Sequence, residues 1–569
     1  MQPTGNPGSA PPVRSGWRLP VLVLVVALVV VGAGALVLGM TRGAGPGLSA
    51  STVPTTDPVS SGRPLGSAQP GQTGVASQGP GVTPTFPGSE GTSEPPPTTG
   101  PVVGIQMPMV PVVSFWSTDT DISSADLKAA LAGNGPAGRT VVVPAADADA
   151  IAAALKLTLS DSVQRASTPD KVRKAVSKGA LGLLRVTDVD PSVRALSLEG
   201  KALFGEDRIS DLGQWPLTAT VQASADQAWD PSTTWTMLAG GDMFMDRGVH
   251  RAVVDEKKGI DWPFDGGTAI VTGHHCCGVY VTTHEIPDVQ FTGHAGAVRD
   301  LVKNADLAVA NLETPVPDNW VYHAHDYIFS SDPSLLPMFT NAGIDFVTIA
   351  NNHIRNFGAS GIADTRKNLA AAGLKFAGAG ANLAEAGQIA YLSANGTKVA
   401  IIGCSGVASS DNATATRAGV LPCSINAVVP RIQEAKTKAD LVIVFAHWGT
   451  ETDNNPQVTQ PPLAKAWIDA GAGLILGAHT HVPGAIEQID GKVVFYSLGN
   501  FIFDQTFWTK EMEGALPELT FQGNQLVQIR LHPYVAPDVQ PNLLDPATDD
   551  GKAIMSTIKQ VSAARGLKW

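Results

Sequence analysis

From about residue 232 onward the chain repeats one device: an apolar run that closes on a polar cluster. TWTMLAGGD, DLAVANLE, DFVTIANNH, DLVIVFAHWG, AGLILGAHTH and VVFYSLGN all have this form. These apolar runs read as β-strands, each closing on polar residues. Between them DPSLLPMFTNAG, GIADTRKNLAAAG and PPLAKAWIDAG carry helical patterns, each ending at a glycine suited to a helix C-terminus. Strands and helices alternate as βα units do, so the fold class is α/β. In such sheets ligands gather beyond the carboxyl ends of the strands. The polar clusters are therefore expected to share one edge.

Those clusters hold Asp242, Glu313, Asn352, His353, His447, His479 and His481. Carboxylate oxygen, amide oxygen and neutral imidazole form a hard-to-borderline ligand set, which fits Mn, Fe or Zn and is poor for Cu(I). A bridging carboxylate such as Glu313 would hold two such ions, and two cations about 3.5–4 Å apart can lower the pKa of a shared water. The His-x-His element at His479 and His481 puts both imidazoles on one side of an extended segment, because side chains alternate with period two. Taken alone, that element reads as two histidines satisfied in a loop, and Asn351-Asn352-His353 as a turn. Recurrence of the same chemistry at the ends of separate strands favours a common centre.

The rest of the chain bounds where such a centre works. Leu19 to Met40 (LPVLVLVVALVVVGAGALVLGM) carries no charge and is long enough to span a bilayer. The apolar core of a cleaved signal peptide is shorter, about 7–15 residues, although the small residues around Ala33 and Ala35 leave cleavage open. Arg14 and Arg18 before the segment, against Arg42 after it, place the N-terminus in the cytoplasm. The expected order is a cytoplasmic segment at 1–18, a single-pass transmembrane anchor at 19–40 and a disordered Pro/Gly/Ser/Thr linker at 41–101. A small α/β domain follows at 102–228, then a larger domain at 229–569, both extracytoplasmic. The small domain resembles one lobe of a periplasmic solute-binding protein, and a spacer or docking role fits it equally.

A formal charge of −12 excludes a nucleic-acid binder, which needs a basic footprint. With four Cys in 569 residues the chain is no disulfide scaffold. Outside the cytoplasm Cys404 and Cys423 are expected to close a loop. His274, His275, Cys276 and Cys277 suggest zinc, but adjacent pairs lack the usual ligand spacing.

GGDMFMDRGV, ANLETPV, the stretch from DFVTIANNH to GIADT, FAHWGTE, LGAHTHV and YSLGNFIFD resemble, in order, the motifs of the CapA poly-γ-glutamate capsule-synthesis family. They cover Trp235 to Asp504. The resemblance implies a metallophosphatase-like two-sheet β-sandwich flanked by helices, with two divalent metal ions. It makes Asp242 a ligand of one ion, Glu313 the bridge and Asn352 a ligand of the second. His447 and His479 would complete the coordination of the second ion, and His481 would return to the first. His353 would be the catalytic general acid. Asn500 would orient its loop, Arg247 contact an anionic substrate and Glu451 support the ligands. One departure stands out: Asn356 in NNHIRNFG occupies a position where the family usually has Asp. The implied role is in synthesis of a capsule or other envelope polymer, at the membrane, on an anionic polymer or phosphoester and alongside a membrane polymer-synthase complex. The alternative is a non-catalytic polymer-binding or export factor on the same fold.

Overall fold

The strand Thr234–Met243 is buried along its whole length and organises the larger domain. It runs parallel to Leu307–Leu312 and Asn500–Ile502 and antiparallel to Glu513–Gln522 within a ten-stranded sheet. A second, six-stranded sheet is built around Thr397–Ser405, Leu441–His447 and Leu474–Ala478, all parallel. Because strand side chains alternate between faces, each run serves two cores. Trp235, Met237, Val309 and Phe346 from the first sheet meet Ile401, Ile443, Phe445 and Leu476 from the second in one hydrophobic cluster, so the sheets face each other. The intervening residues look outward. Leu238, Ala308 and Ala310 pack against the helices Ala297–Asn304, Pro337–Ala342 and Gly358–Ala371. On the far side Ile402, Val444 and Ile475 pack against Ile425–Ala435 and Gln460–Ala470. The uninterrupted apolar runs thus mark strands sandwiched between a sheet and a helical layer.

This computed structural model describes residues 101–135, 139–276, 284–324 and 327–569. The expected cytoplasmic segment, the membrane anchor and all but the last residue of the linker lie outside the described residues, as does Cys277. Among the described residues no helix is long and apolar enough to cross a membrane.

Residues 102–229 form a separate hydrophobic cluster around a six-stranded sheet. Its longest strand, Val102–Ser114, pairs antiparallel with Thr218–Ser224 through its first half and with Leu181–Arg185 and Val193–Ala195 through its second. The two parts of the fold are joined by backbone amides of the first bonding to side chains of the second. Ala195 N–H donates to Gln528 Oε1 (2.9 Å), Gly205 N–H to Thr520 Oγ1 (3.0 Å) and Glu206 N–H to Glu518 Oε1 (2.7 Å). Phe115 lies edge-on to Trp569, ring centroids 5.2 Å apart. Cys404 and Cys423 form the expected disulfide.

The segment holding His274 and His275 is an antiparallel hairpin of Thr268–Cys276 with Glu285–Gly293. His275 Nδ1 sits 2.6 Å from Asp288 Oδ1 on an exposed face. Among the described residues the side-chain groups able to hold a cation occur elsewhere.

Candidate metal centre

The parallel strands of both sheets deliver their polar ends to one place. Asp242 ends Thr234–Met243, Glu313 follows Leu307–Leu312, His447 ends Leu441–His447, and His479 and His481 follow Leu474–Ala478. Close approach of the chain is needed here: a Cβ on Gly241 would fall 1.8 Å from Gly499 O, so only glycine lets Asn500–Ile502 seat beside Asp242.

Two groups of donors result, and they share one residue. Ligand atoms of Glu313, His447 and His479 lie within 4.8 Å of one another, as do those of Asp242, Glu313 and His481. All five residues are buried. His447 Nε2 is 3.4 Å from Glu313 Oε1, and His481 Nδ1 is 3.4 Å from Asp242 Oδ2 and 3.9 Å from Glu313 Oε2. These separations are too long for good hydrogen bonds. Both Glu313 oxygens and His479 Nδ1 have no hydrogen-bond partner at all. Buried carboxylate oxygens are rarely left so unless something else uses them.

The electrostatics point the same way. Burial pushes Asp242 up to about 7 against the opposing hydrogen bonds from Asn311 and the His479 amide. Glu313 is raised well above the usual range by burial, then by the charges of Asp242 and Glu451. Burial also pulls His479 down to about 4 and His481 to about 3, and lowers His447 strongly. The centre therefore offers neutral imidazoles beside carboxylates that lack a buried positive partner. Divalent cations fit that donor set.

Asn352 and His353 stand at the rim. Asn352 Oδ1 is 2.8 Å from His447 Nε2, and His353 Nε2 is 4.0 Å from Glu313 Oε1. His353 stacks on Phe329 with ring centroids 4.0 Å apart. Its Nδ1 faces Asn356 Oδ1 at 3.1 Å. Burial draws its pKa down to about 4, partly offset by that hydrogen bond. Asn500 Oδ1 meets His481 Nδ1 at 2.8 Å, while its amide nitrogen donates to Gln505 and to the Glu511 carbonyl, tying the loop to the imidazole.

Arg247 and Glu451 are placed differently. The Arg247 guanidinium is paired with Asp504 (Nε to Oδ2 3.1 Å) and lies over the Phe244 and Phe329 rings, so its position is set by protein contacts. Glu451 is exposed and acts on Asp242 and Glu313 through its charge. One geometric expectation is corrected. His479 and His481 do not lie on an extended segment: the strand ends at Ala478 and both residues have left-handed φ, 97° and 60°. The turn sends the His479 ring to the Glu313–His447 group and the His481 ring to Asp242. Period-two alternation does not apply to it.

Sequence reasoning missed several residues. Asn311 donates from Nδ2 to Asp242 Oδ1 at 2.7 Å while the His479 amide donates to Oδ2, so the carboxylate is held through both oxygens. Its signal was available, since Asn311 precedes Glu313 by two in ANLE and so shares its strand face. Asn351 Nδ2 donates to Leu312 O, and its Oδ1 accepts the amides of His353 and Ile354. Asp246 accepts N–H groups from Arg247, His323 and Ser330, holding the rim loop. No local pattern announces that role.

The model of the family described as "Bacterial capsule synthesis protein PGA_cap" matches residues 236–505. The PGA biosynthesis protein CapA of Bacillus subtilis is 32% identical over 276 residues, covering 48% of this chain and 72% of that protein. The capsule biosynthesis protein CapA of Bacillus anthracis is 33% identical over 281 residues, covering 48% of this chain and 68% of its own length. Among solved structures, a hypothetical protein from Thermus thermophilus is 16% identical. It covers 53% of this chain and 100% of that one with a TM-score of 0.30, too low to establish a common fold.

Proposed function

Because this chain belongs to the CapA family of bacterial capsule synthesis proteins, we propose that it serves synthesis of poly-γ-glutamate or a related acidic envelope polymer as a metal-dependent hydrolase. It would work at the outer face of the membrane, held by residues 19–40, next to a polymer-synthase complex. The observation that carries the catalytic part is the convergence of Asp242, Glu313, Asn352, His447, His479 and His481 around carboxylate oxygens without partners. Two facing sheets flanked by helices, with ligands from strand ends, fit a metallophosphatase-like enzyme.

In this reading Asp242 and His481 would hold one cation and His447, His479 and Asn352 a second, with Glu313 belonging to both donor groups. Mn, Fe or Zn bound there supplies Lewis acidity toward a phosphoester or comparable substrate and activates water. The protein's own groups do the positioning. Asn311 orients Asp242, and Asn500 orients His481. Asn356 Oδ1 also accepts the Phe329 N–H, which identifies it as the oxygen. It therefore takes the Nδ1–H of His353, leaving Nε2 toward the centre as the atom that exchanges a proton with a leaving oxygen. Phe329 covers that imidazole and limits water on one side.

The test is elemental analysis and phosphoester hydrolysis by purified full-length protein. Mn, Fe or Zn content that disappears in Glu313→Ala, with activity lost in His353→Ala, is expected. A metal-free protein that stays inert after loading sinks the proposal. Asn356, neutral where the family usually has a carboxylate, favours the second reading, a polymer-binding or export factor. Full rescue of polymer production by His353→Ala and Glu313→Ala in a deletion strain would make that reading the better one.

A further inference from the structure

Arg194 lies on the strand Val193–Ala195, at the seam between the small domain and the larger one, and is only 8% exposed. Among the described residues its guanidinium forms no ion pair; Nη1 donates to the Ser117 carbonyl. Its neighbours have partners in direct contact. Arg530 pairs with Asp207 at 2.9 Å, and His532 Nε2 lies 2.8 Å from Glu518 Oε2. Asp119 and Glu518 act on Arg194 only through their charge, without an ion pair, so its guanidinium keeps capacity for a partner in direct contact.

It is also the residue that faces open space. A cavity of about 270 Å³ is lined by Arg194, Arg530, His532, Thr120, Ser197 and Asp207, among others. A smaller one, about 90 Å³, has Arg194 in its wall together with Lys552 and Lys559. Asp207 is already engaged by Arg530, which leaves Arg194, the two lysines and two hydroxyls to a visitor. Burial and then the nearby Arg530 charge draw Arg194 down to about 10 against the opposing charges of Asp119 and Glu518, and it stays charged at neutral pH. None of the proposed metal ligands lines either cavity.

We propose that this seam is an oxyanion site, in which the Arg194 guanidinium receives a carboxylate or phosphate group with Thr120 and Ser197 as additional hydrogen-bonding partners and Lys552 and Lys559 at its outer side. A planar guanidinium pairs well with either group. The occupant is a free oxyanion or a carboxylate of an acidic polymer, which have this chemistry in common.

The test is thermal unfolding of the full-length protein in detergent with a chelator, titrated separately with inorganic phosphate and with a γ-linked glutamate trimer, chloride holding ionic strength constant. At least one anion is expected to raise the wild-type melting temperature saturably. Arg194→Gln should weaken the apparent affinity by about tenfold or more, the scale of losing a charge-assisted pair. Response to phosphate alone identifies a free oxyanion, and response to the trimer alone a polymer carboxylate. His479→Ala should respond like wild type, which keeps this site's failure separate from failure of the metal reading. No shift with either anion, or an undiminished response in Arg194→Gln, overturns the proposal. If Arg194→Gln does not fold, Lys552→Glu decides in the same way, since an unchanged response there is equally fatal.

Discussion

Asn356 Oδ1 sits 3.1 Å from His353 Nδ1 while accepting the Phe329 amide at 2.9 Å. A neutral amide therefore does the orienting that a carboxylate would do, but adds no charge. Asn356→Asp should raise the His353 pKa from its present value of about 4 by about one to two pH units, because a nearby anion favours the imidazolium. A histidine NMR titration of chelated protein would read this directly. An unmoved His353 resonance would mean the contact does not persist in solution.

The Glu313 oxygens predict opposite effects with and without metal. Glu313→Leu removes a buried carboxylate that has no partner, so chelated protein should gain about 1–3 kcal/mol in urea unfolding. The same variant should lose the stabilisation that added Mn²⁺ gives to wild type. Loss of stability in the chelated state would place Glu313 among structural residues instead.

Asp242 gives the chelated protein an unusual pH response. Its folded pKa, raised to about 7 by burial, lies above the unfolded value near 3.8. Its contribution is fully present below the unfolded value and is lost as pH rises through the folded one. Asp242→Asn should flatten the decline between about pH 4 and 7, seen as a smaller change in urea midpoint across that range.

Glu518 at the domain seam has the reverse sign. Burial alone would raise it, but the hydrogen bond and charge of His532, then Arg530 and the Glu206 amide, outweigh burial and hold it at about 2, against 4.5 unfolded. Its stabilisation is complete above the unfolded value and is lost as pH falls through the folded one. Glu518→Gln should cost on the order of 3 kcal/mol at neutral pH and reduce the acid sensitivity of unfolding. An acid limb identical to wild type would show that the seam does not depend on this charge.

The Cys404–Cys423 bridge closes a short loop, with a sequence separation of 19. Replacing both cysteines by alanine should cost about 3 kcal/mol in chemical denaturation if chain entropy dominates. A much smaller loss would indicate a loop already ordered in the unfolded chain.

The α/β class and the meeting of these carboxylates and imidazoles were legible because apolar runs fix strands, and parallel strands bring their carboxyl ends together. Asp242, Glu313 and His447 needed only that rule. His479 and His481 were found as residues but with the wrong backbone, since left-handed φ at two histidines breaks the alternation that the pattern assumes. The partner of Arg247 was also hidden, because Asp504 is remote in sequence and the pairing depends on a loop path. The same holds for the seam: nothing local in Ala195, Gly205 or Glu206 signals that their amides meet Gln528, Thr520 and Glu518.

The rungs joining Val102–Pro108 to Thr218–Ser224 have a mechanical consequence. With the proposed anchor ahead of Val102, a pull on that end would reach this ladder first, at the rung that pairs Val102 with Ser224. Beyond them, the amides fastened to Gln528, Thr520 and Glu518 would pass force into the ten-stranded sheet. Force arriving there would meet the strand Thr234–Met243 opposite Thr236 and Leu238, short of Asp242 near its far end.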